Sequence, residues 1–197
     1  MPGSAVLAAS GAMKMGIGKL MVGTSKYVAS LIVQQVPEAT FTFNGLDKLA
    51  DGEILERIHG IAIGPGLTDQ EKIERALSNI WKTDLPVVLD AGALYKRTYP
   101  KRDAPIIITP HPGEFSRLTN LSTKEIQKNR LEYASNYALE HGVIVVLKGL
   151  NTVIAFPDGT GIINPTGNAG LAKGGSGDTL TGMILALICT EQDIKAA

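Results

Sequence analysis

The sequence has a single cysteine, Cys189, so it offers neither a disulfide nor a metal site built from cysteines. Cys189 lies among apolar residues, which predicts a buried side chain. Basic and acidic residues balance at 19 each, and no charge excess indicates binding to nucleic acid or to an anionic membrane. No apolar run is long enough to cross a bilayer, and no signal peptide is evident. The sequence therefore predicts a cytoplasmic protein without nucleic-acid or membrane partners.

Short apolar runs alternate with helical patterns along the chain, which predicts the α/β class and one domain over residues 1–197. Runs rich in β-branched residues predict strands that are buried on both faces. These runs are "IAIGPG" from Ile61, "PVVLD" from Pro86, "PIIIT" from Pro105 and "VIVVLK" from Val143. They predict a mainly parallel central sheet with helices on both faces. "TVIAF" and "GIIN", joined by "PDGT", predict a hairpin.

Three helices have readable signals. Thr68 and Glu71 predict a capping box, followed by a helix whose apolar face is Ile73, Ala76, Leu77, Ile80 and Trp81. Ser122 and Glu125 predict a second capping box, before a helix that ends near Gly142. The N-terminal "AVLAASGAMKMGIG" is rich in alanine and glycine, which predicts a helix packed closely on a sheet.

Four of the predicted strands end in unusual residues: "GPG", "DAG", "PHPGE" and "KGLNT". In sheets of this class ligands bind beyond the carboxyl ends of the strands. These four segments therefore predict a binding site at that edge of the sheet.

A fifth segment, "NPTGNAGLAKGGSGD", places five glycines before Asp178 and an apolar run after it. Glycines let backbone N–H groups approach a ligand, and a helix that starts near Asp178 adds its free N–H groups and dipole. The segment predicts a cradle for a phosphate chain. Asp178 then acts as a base on a hydroxyl group, lies near a cation, or merely caps the helix. The sequence contains neither a Walker A loop nor an early Gly-x-Gly-x-x-Gly.

The segments "NPTGNAGLAKGGSGDTLTGMI", "TPHPGEFSRLT" and "VLKGLNTVIAFPDG", with "IGPG" and "LDAGAL" between, resemble the NAD(P)H-hydrate dehydratases of the ribokinase-like superfamily. The similarity extends over nearly the whole chain and is strongest to bacterial, ADP-using members. It implies a ribokinase-like fold and repair of NADHX and NADPHX, the cofactors hydrated at C6 of the nicotinamide ring. A nucleotide would phosphorylate the C6 hydroxyl, and phosphate, a better leaving group than hydroxide, would then depart.

The resemblance also implies roles for individual residues. Asp178 would be the catalytic base and would contact the substrate with Ser4 or Ala5, Gly66 and His111. The residues that match the nucleotide and phosphate site are Lys148, Gly149, Leu150, Asn151, Thr152, Asn168, Gly174, Gly175, Ser176 and Gly177. ADP or ATP as co-substrate, Mg²⁺ and a homo-oligomer are further implications. Glu114 either caps a helix or holds magnesium through water, and Asp90 either supports a site residue or shapes a turn.

The chain also departs from the family pattern. It is expected to lack the family's first strand and last helices, and Gly92 stands where many members have a second acid. Two alternatives stay open: a thiazole or pyrimidine alcohol kinase of the same superfamily, and a nucleotide-binding fragment without catalysis. His59 and His141 have no neighbouring motif, so a structural role is predicted for both.

Overall fold

The structure is a computed structural model that describes residues 1–53, 58–191 and 193–195. Within these residues the helices are α1 Pro2–Lys14, α2 Lys26–Ile32, α3 Gly45–Asp51, α4 Gln70–Ile80, α5 Pro112–Thr119, α6 Thr123–Lys128, α7 Arg130–His141 and α8 Ser176–Thr190. The strands are β1 Met21–Thr24, β2 Thr40–Phe43, β3 Ile61–Ile63, β4 Val87–Leu89, β5 Ile106–Ile108, β6 Ile144–Leu147, β7 Thr152–Ala155 and β8 Gly161–Asn164.

Strands β3 to β8 form a six-stranded sheet in their chain order. β3, β4, β5 and β6 are parallel, so their carboxyl ends lie along one edge. β7 is antiparallel to β6 and forms a hairpin with β8. The predicted α/β class, the mainly parallel sheet and the hairpin are confirmed.

Helices cover both faces of this sheet, as β4 shows. Its three residues are fully buried. Val87 and Leu89 belong to a core cluster with α4, α5 and α7, whereas Val88 belongs to a second cluster with α8. Because side chains alternate along a strand, a continuous apolar run supplies both clusters.

Two helices begin or break elsewhere than predicted. α4 is capped by Asp69, whose carboxylate accepts a hydrogen bond from Lys72 N at 3.1 Å, so the predicted cap at Thr68 is wrong. A carboxylate is an equally good cap and also interacts with the helix dipole. Ser122 and Glu125 form the predicted capping box, but the following helix breaks at Asn129 into α6 and α7. Gly142 ends α7 as predicted, with φ of 65°.

The N-terminal helix packs most closely on another helix, α8, and not on the six-stranded sheet. A Cβ added at Gly11 would lie 2.3 Å from Thr179 O, and one added at Gly182 would lie 1.9 Å from Ala8 O. Small residues thus let the two backbones approach. Another side of α1 shares a small core with α2 and with β1 and β2, a separate parallel pair of strands that was not predicted. Cys189, near the end of α8, is only half-buried, so the prediction of a buried thiol is wrong.

Gly182→Ala is expected to lower the free energy of unfolding by about 1–3 kcal/mol, because the new methyl group would overlap the α1 backbone. The measurement is thermal or urea unfolding. Gly3→Ala on α1 is the matched control, since a Cβ there meets open space. It should leave stability unchanged or raise it by up to about 1 kcal/mol. Equal stability of Gly182→Ala and the wild type would contradict the α1–α8 contact.

Candidate active site

The loops after β3 and β4 fit together at the carboxyl edge of the sheet. Gly64 has φ of 129°, and an added Cβ would lie 1.6 Å from Asp90 O. A Cβ at Gly92 would lie 2.0 Å from Leu67 O. The "GPG" and "DAG" segments therefore need glycine to reach this contact.

Helix α8 begins at the end of the glycine-rich segment. Gly175 is its N-cap, with φ of 90° and no side-chain capping bond, and Asp178 lies in the first turn. The start of α8 lies at the edge of the sheet that carries the strand-end loops, since Gly177 approaches Lys148 and Thr181 donates to Asp90. The first N–H groups of a helix have no acceptor in the preceding turn of the helix. Asp178 is therefore not the N-cap residue of α8, and the interpretation that it merely caps the helix is wrong.

The Asp178 carboxyl group lies among charged groups from three other parts of the chain. Partial burial raises its pKa above the ordinary value for aspartate, and the negative charge of Asp90 adds to this increase. The neighbouring Ser4 side chain, the Lys148 ammonium and the N-terminal amine act in the opposite direction. A carboxyl group with a raised pKa is a stronger base once it is ionised.

Lys148 lies next to α8 and is held by a buried carboxylate. Its Nζ donates to Asp90 Oδ1 at 2.9 Å, and a Cβ added at Gly177 would lie 3.1 Å from the same nitrogen. Thr181 Oγ1 donates to the other oxygen of Asp90 at 2.7 Å. Asp90 is 2% exposed, so this charge is removed from water and compensated by both partners. Asp90 therefore contacts Lys148 directly, which favours the interpretation that it supports a predicted site residue.

His111 and Glu114 form the start of α5. His111 Nδ1 accepts from Gly113 N and Glu114 N, while Glu114 Oε2 accepts from His111 N at 2.8 Å. Because Nδ1 accepts, a neutral ring carries its proton on Nε2. Glu114 is buried, caps α5 and lies 3.9 Å from Lys148 Nζ. Its capping role is thus observed, and it also faces the lysine of the site.

The other predicted residues lie around this centre. Ser4 is buried beside Asp178, whereas Ala5 packs in the small core under α1. Gly66 O accepts from the Met1 amine at 2.9 Å. The segments that match the nucleotide site are mostly exposed: Gly149, Leu150, Asn151, Asn168 and Gly174 are open to solvent, Thr152 and Gly175 to Gly177 partly so. Asn168 Oδ1 accepts from Gly170 N within its own loop.

Two histidines lie away from this site. His59 is exposed, and His141 stacks on Tyr137 with ring centroids 4.1 Å apart. A cleft of about 550 Å³ lies between the segments that precede β4 and β5, at the opposite end of the sheet. Trp81, Lys101 and Arg102 are among its lining residues, and no predicted site residue is.

Similarity to known proteins identifies the family of this chain. The family model for NAD(P)H-hydrate dehydratase matches residues 1–197. The chain belongs to the NAD(P)H-hydrate dehydratase family. It is 55% identical over 197 residues to the ADP-dependent (S)-NAD(P)H-hydrate dehydratase of Bacillus subtilis, covering all of this chain and 71% of that protein.

Solved structures confirm the fold of this dehydratase family member. The ADP/ATP-dependent NAD(P)H-hydrate dehydratase from Bacillus subtilis, co-crystallised with ATP and Mg²⁺, superposes with a TM-score of 0.95 at 55% identity. The superposition covers 99% of this chain and 70% of that one. A ribokinase-like superfamily protein from Enterococcus faecalis superposes with a TM-score of 0.82 at 26% identity, over 98% of this chain and 69% of that one.

Two features of the site were not predicted. Thr181 has no sequence signal, because a threonine inside a helix ordinarily bonds to its own backbone. Ala91, which follows Asp90, has φ of 46°, a left-handed conformation that is unfavourable for alanine. The sequence "AG" at Ala91 and Gly92 does not indicate that the alanine has a positive φ.

Proposed function

We propose that this chain catalyses the ADP-dependent dehydration of (S)-NADHX and (S)-NADPHX to NADH and NADPH. Family membership gives the reaction class. The observation that carries the proposal is the position of Asp178 in the first turn of α8, directly after Gly177, whose backbone approaches the Lys148 ammonium. A base, a cation and free backbone N–H groups are what phosphoryl transfer to a hydroxyl group requires.

In this proposal the Gly174–Gly177 N–H groups and Lys148 hold the terminal phosphoryl group of ADP. Asp178 takes the proton from the C6 hydroxyl, the hydroxyl oxygen bonds to phosphorus, and AMP leaves. The ring nitrogen then supplies the electron pair that expels phosphate from C6, and loss of a proton from C5 completes the double bond. The sum is removal of one water from the hydrate, with ADP converted to AMP and phosphate.

The remaining predicted residues contribute binding in this proposal. Ser4, Gly66 and His111 contact the hydrated dinucleotide, and His111 offers its Nε2–H as a donor, because Nδ1 accepts from Gly113 N and Glu114 N. Lys148 to Thr152 and Asn168 contact the nucleotide. Of the two N-terminal candidates we propose Ser4 as the contact, because Ala5 packs against the small core under α1.

Magnesium would be bound mainly by the phosphates of the nucleotide. Among residues 1–53, 58–191 and 193–195 no group of three or more histidine, cysteine, aspartate or glutamate side chains could hold a metal ion. Asp90 is already engaged by Lys148 and Thr181. Glu114 would act through water, and the ion would neutralise charge on the phosphates.

The kinase alternative is not favoured, because a 55%-identical relative that spans the whole chain is an NAD(P)H-hydrate dehydratase. The test is to incubate the protein with NADH hydrate and either ADP, ATP or no nucleotide. We expect nucleotide-dependent recovery of the absorbance of reduced nicotinamide, with AMP from ADP. A stable phosphorylated alcohol would support the kinase. Nucleotide binding without turnover would support the non-catalytic fragment.

We also propose a homo-oligomer in the cytoplasm, where NAD(P)H and ADP occur. Ile162 and Ile163 on β8 are 47% and 50% exposed at the edge of the sheet, and Leu131 of α7 lies beside Gly161. An exposed apolar edge strand is a pairing site. Light scattering should give a mass above that of one chain, and a monomer at all concentrations would contradict the assembly. Among the described residues no helix is long and apolar enough to cross a membrane.

Ser4→Ala is expected to move the acid limb of the pH profile of kcat/KM to higher pH. The base must be ionised, so activity falls as the pH drops through the pKa of Asp178. Ser4 lowers that pKa, and its removal raises it while Asp90, Lys148 and the N-terminal amine stay in place. Ser30→Ala on α2 is the control, since the Ser30 hydroxyl donates to Tyr27 O away from the site. An unchanged acid limb in Ser4→Ala would contradict this assignment.

A further inference from the structure

Asp90 is a buried carboxylate whose two oxygens have different partners. Oδ1 accepts from Lys148 Nζ at 2.9 Å and Oδ2 accepts from Thr181 Oγ1 at 2.7 Å. Asp90 is 2% exposed and Thr181 is fully buried. The three residues come from the ends of β4 and β6 and from α8, so they join the sheet to the helix that carries Asp178.

The Thr181 hydroxyl has one proton and two candidate acceptors. Asp90 Oδ2 lies at 2.7 Å and Gly177 O, one turn earlier in α8, at 3.1 Å. A carboxylate is the stronger acceptor and is also nearer, so the proton is directed to Asp90. A helical threonine that ordinarily bonds to its own backbone is here turned to a charged partner.

The backbone next to Asp90 is also constrained. Ala91 has φ of 46°, a left-handed conformation that is unfavourable for a residue with a Cβ. Asp90 N donates to Ile63 O at 3.0 Å, and Asp90 O accepts from Ala93 N at 2.9 Å. The carboxylate is thus fixed through its backbone as well as through its side chain.

We infer that Asp90 and Thr181 are positioning residues, which hold the Lys148 ammonium against Gly177 at the phosphate cradle. A lysine side chain has four rotatable bonds. An ammonium group that is already held in place loses less conformational freedom when phosphate binds than a mobile one would. The inference rests on the proposed function, because it assigns the cradle to the terminal phosphoryl group of ADP. Thr181 acts through Asp90, and Asp90 acts through Lys148.

The test compares Thr181→Val, which keeps the shape of the side chain and removes the hydroxyl, with Thr181→Ser, which keeps the hydroxyl. Thr190→Val is the matched control on the same helix, because the Thr190 hydroxyl donates to the backbone carbonyls of Ala186 and Leu187 in α8. Asp90→Asn is a second variant, in which the charge is lost at constant shape. The measurements are the dissociation constant of ADP by calorimetry, the KM for ADP, kcat and the melting temperature.

We expect Thr181→Val to raise the dissociation constant and KM for ADP by about tenfold, the scale of one lost hydrogen bond to a charged group. Asp90→Asn should have a larger effect than Thr181→Val, and Thr181→Ser should remain within about twofold of the wild type. The KM for the hydrate should change less than the KM for ADP in each case. A purely structural role would instead lower the melting temperature without this selectivity.

Wild-type ADP affinity in both Thr181→Val and Asp90→Asn would overturn the inference. So would failure of Thr181→Ser to restore affinity, or an equal loss in Thr190→Val. Calorimetry separates this inference from the proposed function. Tight ADP binding by a wild-type protein that does not dehydrate the hydrate would refute the function, while the affinities of the variants would still decide the role of Asp90 and Thr181.

Discussion

Asp178→Asn is expected to lower kcat by about 10²–10⁴-fold, the range that a positioned general base contributes. The amide has the shape of the carboxyl group but cannot take up the hydroxyl proton. ADP affinity should stay equal or increase slightly, because the substitution removes a negative charge beside the phosphates. The measurements are the rate of absorbance recovery with NADH hydrate and ADP, and calorimetric titration with ADP.

Asp103→Asn is the matched control for this prediction, since Asp103 is exposed and lines the cleft at the opposite end of the sheet. It should keep wild-type kcat and ADP affinity. Wild-type turnover in Asp178→Asn would remove Asp178 from the mechanism. A loss of ADP binding equal to the loss of turnover would assign Asp178 to nucleotide binding instead.

Lys148→Ala is expected to weaken ADP binding by about 10–150-fold, the range for a lost charge-assisted hydrogen bond. The effect on the KM for the hydrate should be smaller, because the ammonium faces Gly177 and the start of α8. The substitution also leaves the buried Asp90 carboxylate with Thr181 as its remaining side-chain partner. The melting temperature should therefore fall as well, and the ADP measurements are made on the folded fraction.

Lys124→Ala on the exposed side of α6 is the control for the loss of a lysine charge. It should change neither ADP affinity nor the melting temperature. Equal effects of Lys148→Ala on ADP and on the hydrate would count against the placement of Lys148 at the phosphates. An unchanged ADP affinity would contradict the cradle.

Much of the fold was predictable because its strands are continuous apolar runs. β4, β5 and β6 are buried on both faces. Short apolar runs of this kind are readily recognised as strands when helical patterns separate them. β1 and β2 were not predicted, since "MVGT" and "TFTF" are short, partly exposed and lack a buried run. The packing of α1 on α8 depends on glycines that lie far apart in the sequence, Gly11 and Gly182.

The location of the site was predictable from the sequence, but the hydrogen bonds and ion pairs within it were not. Strand-end glycines and charges pointed to one edge of the sheet, and the structure brings Asp178, Lys148 and Ser4 together there. The pairing of Asp90 with Lys148 spans 58 positions, and only the tertiary fold brings the two together. The choice between Ser4 and Ala5 depended on the exact rotation of α1, which an alanine-rich helix does not reveal.

The most direct test of phosphoryl transfer to the substrate follows the C6 oxygen of the hydrate. NADH hydrate labelled with the heavy oxygen isotope at the C6 hydroxyl is incubated with the wild-type protein, ADP and Mg²⁺, and the released phosphate is analysed by mass spectrometry. Phosphoryl transfer at the α8 cradle predicts one labelled oxygen in each phosphate and none in the water. Label in the water, with unlabelled phosphate, would contradict the transfer and the role of Asp178 in it.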